Sequence, residues 1–85
     1  MKYRLEIARS AEREIRRLPE KIQFGMAHVF HRLQDDPRPP GSKKLKSASD
    51  LWRIRIGAYR AIYSIADVIK LIRIEKVGHR SDVYR

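Results

Sequence analysis

The sequence predicts an α+β fold, with two N-terminal helices packed on a four-stranded, mainly antiparallel sheet in the order β-α-α-β-β-β. Three observations carry this. Apolar and polar residues alternate with period two at residues 3–7 and 51–56, and strand-like runs continue to residue 77, which marks strands at both ends of the chain. Between them, two stretches space apolar side chains at helical intervals. The links joining the later strands are short, as in an antiparallel meander. At 85 residues, with no repeat or linker, the chain makes one domain over residues 1–85.

Each element follows from its residues. Tyr3, Leu5 and Ile7 alternate with Arg4 and Glu6, a strand with one buried face. Ser10 is placed to cap a helix, with Glu12 and Glu14 near the positive end of its dipole. Ala11, Ile15 and Leu18 form its apolar stripe, and Arg9, Arg13, Arg16 and Arg17 lie largely outside that stripe. Pro19 ends this helix or starts the next, which runs from about Glu20 to Asp35 with Ile22, Met26, Val29, Phe30 and Leu33 on one face. Pro37 closes it. Residues 36–50 make a loop rich in turn formers and positive charge. Strands are predicted at Leu51–Ile56, Tyr59–Ile65 and Val68–Val77, with turns at Gly57-Ala58 and Ala66-Asp67. In the last strand, parity puts Ile72 and Ile74 on one face with Lys70 and Lys76.

Composition narrows the setting. There is no cysteine, so no disulfide framework or thiolate metal site is available, and a reducing cytoplasm fits. The opening Met1-Lys2-Tyr3-Arg4 lacks the apolar core of a signal peptide, and no apolar run approaches a membrane span. The expectation is a soluble cytoplasmic domain without a membrane partner. Twenty basic residues against ten acidic give a net charge of +10. Residues 38–60 hold Arg38, Lys43, Lys44, Lys46, Arg53, Arg55 and Arg60 against Asp50 alone, more than half of the excess in about a quarter of the chain. Clustering of this kind is the footprint of a polyanion site, because neutralising phosphates releases their counterions. Solubility alone would not concentrate the charge.

Strand alternation sends Trp52, Ile54 and Ile56 one way and the guanidiniums of Arg53 and Arg55 the other, with Arg60 close by on the next strand. Three arginines on one sheet face repel unless an anion sits between them, and guanidinium forks match phosphate oxygens. A solvated outer sheet face is the plain alternative. The C-terminal run from Val77 to Arg85 adds an imidazole in His79, a guanidinium in Arg80 and a phenol in Tyr84. His79 can move protons near neutral pH, and Tyr84 can stack on a base or transfer a proton. His28 and His31, inside the second helix, read as structural or solvent-facing.

No HxH, HExxH or CxxC spacing occurs, the carboxylates are scattered, and there is no GxSxG elbow. A cation-rich site without metal or cofactor is what remains. That suits attack of an RNA 2′-OH on its own phosphate, with arginines stabilising the developing charge while other groups accept and donate protons.

Taken in order and spacing, the residues resemble the RelE-type toxins of the RelE/ParE superfamily of type II toxin–antitoxin systems. The landmarks are the opening Tyr-Arg-Leu-Glu-Ile strand, Arg17-Leu18-Pro19, the turn from Asp36 to Gly41, and Lys44-Leu45-Lys46. They continue through residues 51–57, Tyr59-Arg60-Ala61-Ile62-Tyr63 and the run from Val77 to Tyr84. The resemblance implies a ribosome-dependent mRNA endonuclease, an mRNA interferase that inhibits translation by cutting mRNA in the ribosomal A site. It also implies a cognate acidic antitoxin, RelB-like or related, that silences the toxin. The basic pair on the family's second strand falls on Arg53 and Arg55, and the arginine of the following strand falls on Arg60. The basic pair after the last strand falls on His79 and Arg80, and the C-terminal tyrosine on Tyr84. These six are the implied catalytic residues, with Lys43, Lys44 and Lys46 joining Arg53 and Arg55 in holding RNA phosphates. Some relatives carry lysines at the second-strand positions, one of them a proposed proton acceptor. Arginine is a poor base at neutral pH, which raises the standing of His79 in that role. Two other readings share the fold: a ParE-like gyrase inhibitor without catalysis, and a decayed toxin that only binds antitoxin and regulates its operon.

Overall fold

β1 (Arg4–Ile7) passes into α1 (Arg9–Arg16) through Ala8 alone. In this computed structural model, which describes residues 2–46 and 50–79, the Ala8 amide donates to the Ile74 carbonyl at 2.9 Å and its carbonyl accepts the Glu12 amide at 2.9 Å. Ala8, not Ser10, is therefore the N-cap, and no side-chain cap is made. The neighbouring strand already fixes the backbone there, so a hydroxyl cap is dispensable. Glu12 lies in the first turn as expected, but Glu14 turns to the sheet and accepts the Val77 amide at 2.9 Å. α2 (Glu20–Asp35) starts behind Pro19, whose fixed φ suits a helix entry, and runs over the expected residues.

Among the described residues the sheet has five strands, not four, in the order β1-β5-β4-β3-β2. The extra one is β2 (Lys43–Lys44), a two-residue edge strand antiparallel to β3 (Leu51–Ile56), inside the stretch expected to be loop. Two residues are too few to display alternation, so pattern reading had nothing to find there. β3, β4 (Tyr59–Ala66) and β5 (Leu71–His79) form the expected meander around a turn at Gly57-Ala58. β1 joins parallel to β5, Arg4 facing Leu71 through Ile7 facing Ile74, so the sheet is mixed. The two helices carry the chain from β1 across the sheet to the β2–β3 edge, and the meander brings it back to β5.

Both helices bury their stripes on one sheet face. Ala11, Met26, Phe30 and Leu33 meet Tyr3, Ile54, Ala61, Tyr63, Ile72, Ile74 and Val77 in a single core, with Ile15, Leu18, Ile22 and Val29 packed against it. Among the described residues no helix is long and apolar enough to cross a membrane.

β4 and β5 depart from simple alternation at two places. The last strand begins at Leu71, not Val68, because Asp67–Lys70 form the turn, with Lys70 at φ 54° and its amide on the Asp67 carbonyl at 3.3 Å. Val68 and Ile69 stand exposed at its tip, 97% and 57% accessible, where β-branched residues had read as strand. The turn is held by Asp67, which accepts the Tyr3 hydroxyl at 2.6 Å and two Arg38 N–H groups at 2.8 and 3.3 Å. Arg38 lies over the Trp52 ring at 5.2 Å. The second departure is a register shift between Ile62 and Tyr63: Ile62 faces Lys76 but Tyr63 faces Ile74, leaving Glu75 as the extra residue. This bulge reverses the face of everything beyond it. Lys76 leaves the face of Ile72 and Ile74, and Val77 takes the core place.

Candidate functional site

The face turned away from the helices carries the positive charge. Its rows follow from strand register: Arg55 beside Arg60, then Lys43, Arg53, Ile62 and Lys76 abreast, then Leu51, Ser64 and Arg73. Arg53 and Arg60 are half-buried and Arg55 is exposed. The structure thus brings the three arginines together on one sheet face, at the end nearest the β3–β4 turn. Ile62 is only 5% exposed although no helix covers it and it lies outside the main core. Its strand neighbours on that face are Arg53 and Lys76, side chains long enough to lay their aliphatic stems against it.

Charge is graded along this face. At the far end Glu75 accepts the Ser64 hydroxyl at 2.9 Å and pairs with Arg73 at 3.7 Å. Glu6 faces Arg73 from β1. Among the described residues, the paired positions nearer the β3–β4 turn on this face are Lys43, Arg53, Arg55, Arg60, Ile62, Lys76 and Gly78. Five cations gathered on neighbouring strands in this way suit a chain of phosphates.

The remaining expected site residues part company. Lys43 faces Arg53 and joins the cationic face, whereas Lys44 faces Trp52 on the helix side and Lys46 stands exposed beyond β2. His79 is the last residue of β5, not a residue after it, and it faces Tyr59. The two rings meet edge to face at 5.6 Å between centroids and 84° between planes. Tyr59 packs against the core, so this pair lies on the helix side, across the sheet from Arg60. A second cleft of about 380 Å³ opens there, bordered by Glu14, Arg17, Leu18, Tyr59 and His79. The bulge at Glu75 is the cause: without the extra residue, parity would turn His79 toward the arginines. Arg80 and Tyr84 lie outside the described residues. Sequence reasoning overlooked Lys76, which parity alone put on the wrong face, and Arg32, whose helical setting carried no special signal. Among the described residues no group of three or more His, Cys, Asp or Glu side chains could hold a metal ion.

Comparison with known proteins agrees with this architecture. The family model described as ParE toxin of type II toxin-antitoxin system, parDE, matches residues 5–84. Toxin RelE of Mycobacterium tuberculosis is 33% identical over 84 residues, covering 98% of this chain and 87% of the relative. Toxin RelG of the same organism is 29% identical over 86 residues, covering 100% and 99%. Among solved structures, the archaeal RelE–RelB complex from Pyrococcus horikoshii OT3 superposes with a TM-score of 0.85 at 30% identity, over 98% of this chain and 100% of that one. The isolated RelE toxin of E. coli gives 0.80 at 26% identity, over 96% and 90%. A match along nearly the whole chain, on the same two helices and mixed sheet, assigns the molecule: it belongs to the RelE/ParE superfamily of type II toxin–antitoxin toxins and is of the RelE type.

Proposed function

We propose that this toxin is a ribosome-dependent mRNA endonuclease that cuts mRNA in the ribosomal A site and is silenced by a cognate acidic antitoxin. The observation that carries the reading is the gathering of Arg53, Arg55, Arg60, Lys43 and Lys76 on one sheet face. In the reaction an RNA 2′ oxygen bonds to the adjacent phosphorus as the bond from phosphorus to the 5′ oxygen breaks. One group takes the 2′ proton and another protonates the departing 5′ oxygen, leaving a cyclic phosphate. Arg60 and its neighbours stabilise the charge that builds on the phosphoryl oxygens. Arginine stays protonated, so proton transfer falls to other groups. His79 and Tyr84 are the candidates on this chain, and His79 reaches the scissile phosphate only around the end of the sheet, since its ring rests on Tyr59. Solved RelE-type toxins occur with RelB antitoxins, which supports an antitoxin of that kind as the partner here. An acidic segment of such a partner would neutralise the same arginines.

Codon cleavage on programmed ribosomes tests the assignment, with Arg60→Ala and Arg80→Ala compared to the wild type. Loss of cleavage by at least about a hundredfold in Arg60→Ala is expected, as for removal of a group stabilising transition-state charge. Full activity in both variants would sink the reading. Gyrase inhibition is the second reading, kept by the ParE name of the matching family model. Mapping mRNA 5′ ends after induction separates the two, because DNA breaks with intact mRNA would select gyrase.

A further inference from the structure

A cleft of about 510 Å³ opens beside the arginine face, between α2 and the edge of the sheet. Arg32 borders it from α2, Gly41, Ser42 and Lys43 from the entry to β2, and Arg53 and Arg55 from β3. No acidic side chain borders it among the described residues. The side chains of Arg32, Lys43, Arg53 and Arg55 make no ion pair or hydrogen bond among the described residues. Four guanidinium or ammonium groups thus converge on one concavity without a counter-charge.

The backbone around it also offers donors. The Ser42 amide reaches the Pro39 carbonyl at 3.0 Å, closing a turn with Pro40 second and Gly41 third. Gly41 has φ +96°, the conformation that the third position of a type II turn demands, and a Cβ there would meet nothing within 4 Å. The Gly41 amide makes no hydrogen bond among the described residues. On β3, the Leu45 amide donates to the Leu51 carbonyl at 2.9 Å, so residues 51, 53 and 55 direct their peptide groups toward β2. β2 begins only at Lys43, opposite Arg53, which leaves the peptide groups of Arg55 at an open edge facing the cleft.

We infer that this cleft is a second phosphate subsite, holding a neighbouring phosphate of the same RNA strand through Arg32. The inference rests on the proposed function and extends it. Arg53 and Arg55 border both the open sheet face and the cleft, so a strand held at Arg60 can pass over the edge of β3 and present its next phosphates to Arg32. Arg32 acts as a binding residue, distant from the bond that breaks. The Pro39–Ser42 turn keeps the cleft open by starting β2 at Lys43, since a longer β2 would pair with Arg55 and close it.

Fluorescence anisotropy with fully 2′-O-methyl RNA, which lacks the attacking hydroxyl, provides the test. A hexanucleotide and a dinucleotide are titrated into wild type, Arg32→Gln, Arg32→Lys and Arg60→Gln. Arg32→Gln is expected to weaken the hexanucleotide by about tenfold and to lower its salt slope by about 0.7, the loss of one phosphate contact on a single strand. It should leave the dinucleotide, too short to span both places, unchanged, and Arg32→Lys should recover most of the affinity. Arg60→Gln is expected to weaken both oligonucleotides. Hexanucleotide binding unaltered by Arg32→Gln, alongside weakening by Arg60→Gln, would overturn the subsite and leave the main reading standing. Equal weakening of both lengths by Arg32→Gln would overturn it too, as a mere effect of net charge. Unaltered binding in every variant would remove the RNA reading as well. Since Arg32 is exposed, unchanged melting temperatures are the control for folding.

Discussion

Arg38, Asp67 and Tyr3 join the loop after α2, the β4–β5 turn and the chain start through one carboxylate. Arg38 donates to both Asp67 oxygens, and together with the Tyr3 hydroxyl this lowers the Asp67 carboxyl to about 2 from an ordinary 3.8. Folding therefore favours the ionised form, so the stabilisation is present above about pH 4 and is lost as pH falls from 3.8 toward 2. Asp67→Asn should lower the melting temperature at neutral pH, and the gap to wild type should close as pH approaches 2; a gap constant from pH 6 to 2 would refute the linkage. Tyr63 titrates at the other extreme. It is fully buried and donates its hydroxyl to the Pro37 carbonyl at 2.8 Å, and burial pushes it up to about 12. Here the folded state holds its proton more tightly, so stability is complete below pH 10 and falls between 10 and 12. A pH series of thermal melts should show that alkaline loss in wild type and a smaller loss in Tyr63→Phe.

At the scale of elements, the parts legible in sequence were those with many residues obeying one period. α2 has five apolar positions on one face and was bounded correctly at Glu20 and Asp35. β3 was likewise bounded, and the turn at Gly57-Ala58 stands where expected, with Gly57 at φ 60°. What pattern reading lacks is the partner of each strand, so the parallel seat of β1 and the short β2 appear only in three dimensions. It also assumes unbroken parity, and the single extra residue Glu75 breaks that assumption. The arginine triad was legible because it precedes the bulge in the sheet; His79 follows the bulge and was not. Among the described residues the outer edge of β5 beyond the bulge has no strand partner, because β1 pairs only with residues 71–74. Glu14 compensates by accepting the Val77 amide from α1. Glu14→Ala should cost about 1–2 kcal/mol, the range for a buried donor left without its partner, and should speed hydrogen exchange at the Val77 amide. Glu14→Gln keeps an acceptor and should lie between the two. Val77 exchange unchanged in Glu14→Ala would mean that the amide is protected by other means.

The whole molecule separates its tasks by sheet face: one side carries the helices and the core, the other presents cations to solvent. Within the cationic side there is a further division, since Arg73 is paired with Glu75 and Arg4 stands near Glu6, while among the described residues the strand neighbours of Arg53, Arg55 and Arg60 include no acid. A uniformly basic surface and a localised site make different predictions about salt. If net charge of +10 governed RNA binding, any arginine on this face would contribute alike. If the site is local, only those in the rows nearest the β3–β4 turn displace counterions from phosphates. Binding of single-stranded RNA should then follow log-linear salt dependence, and each of Arg53→Gln and Arg60→Gln should reduce the slope by about 0.7. Arg4→Gln and Arg73→Gln, equal in charge removed, should leave the slope nearly unchanged. Anisotropy titrations at several salt concentrations decide between the two, and equal slopes for all four variants would reduce the arginine face to a diffuse field. Lys76 supplies the sharpest comparison. It shares a row with Arg53 and Ile62 only because of the bulge, so Lys76→Gln should lower the slope like Arg53→Gln if that register shift builds the RNA site.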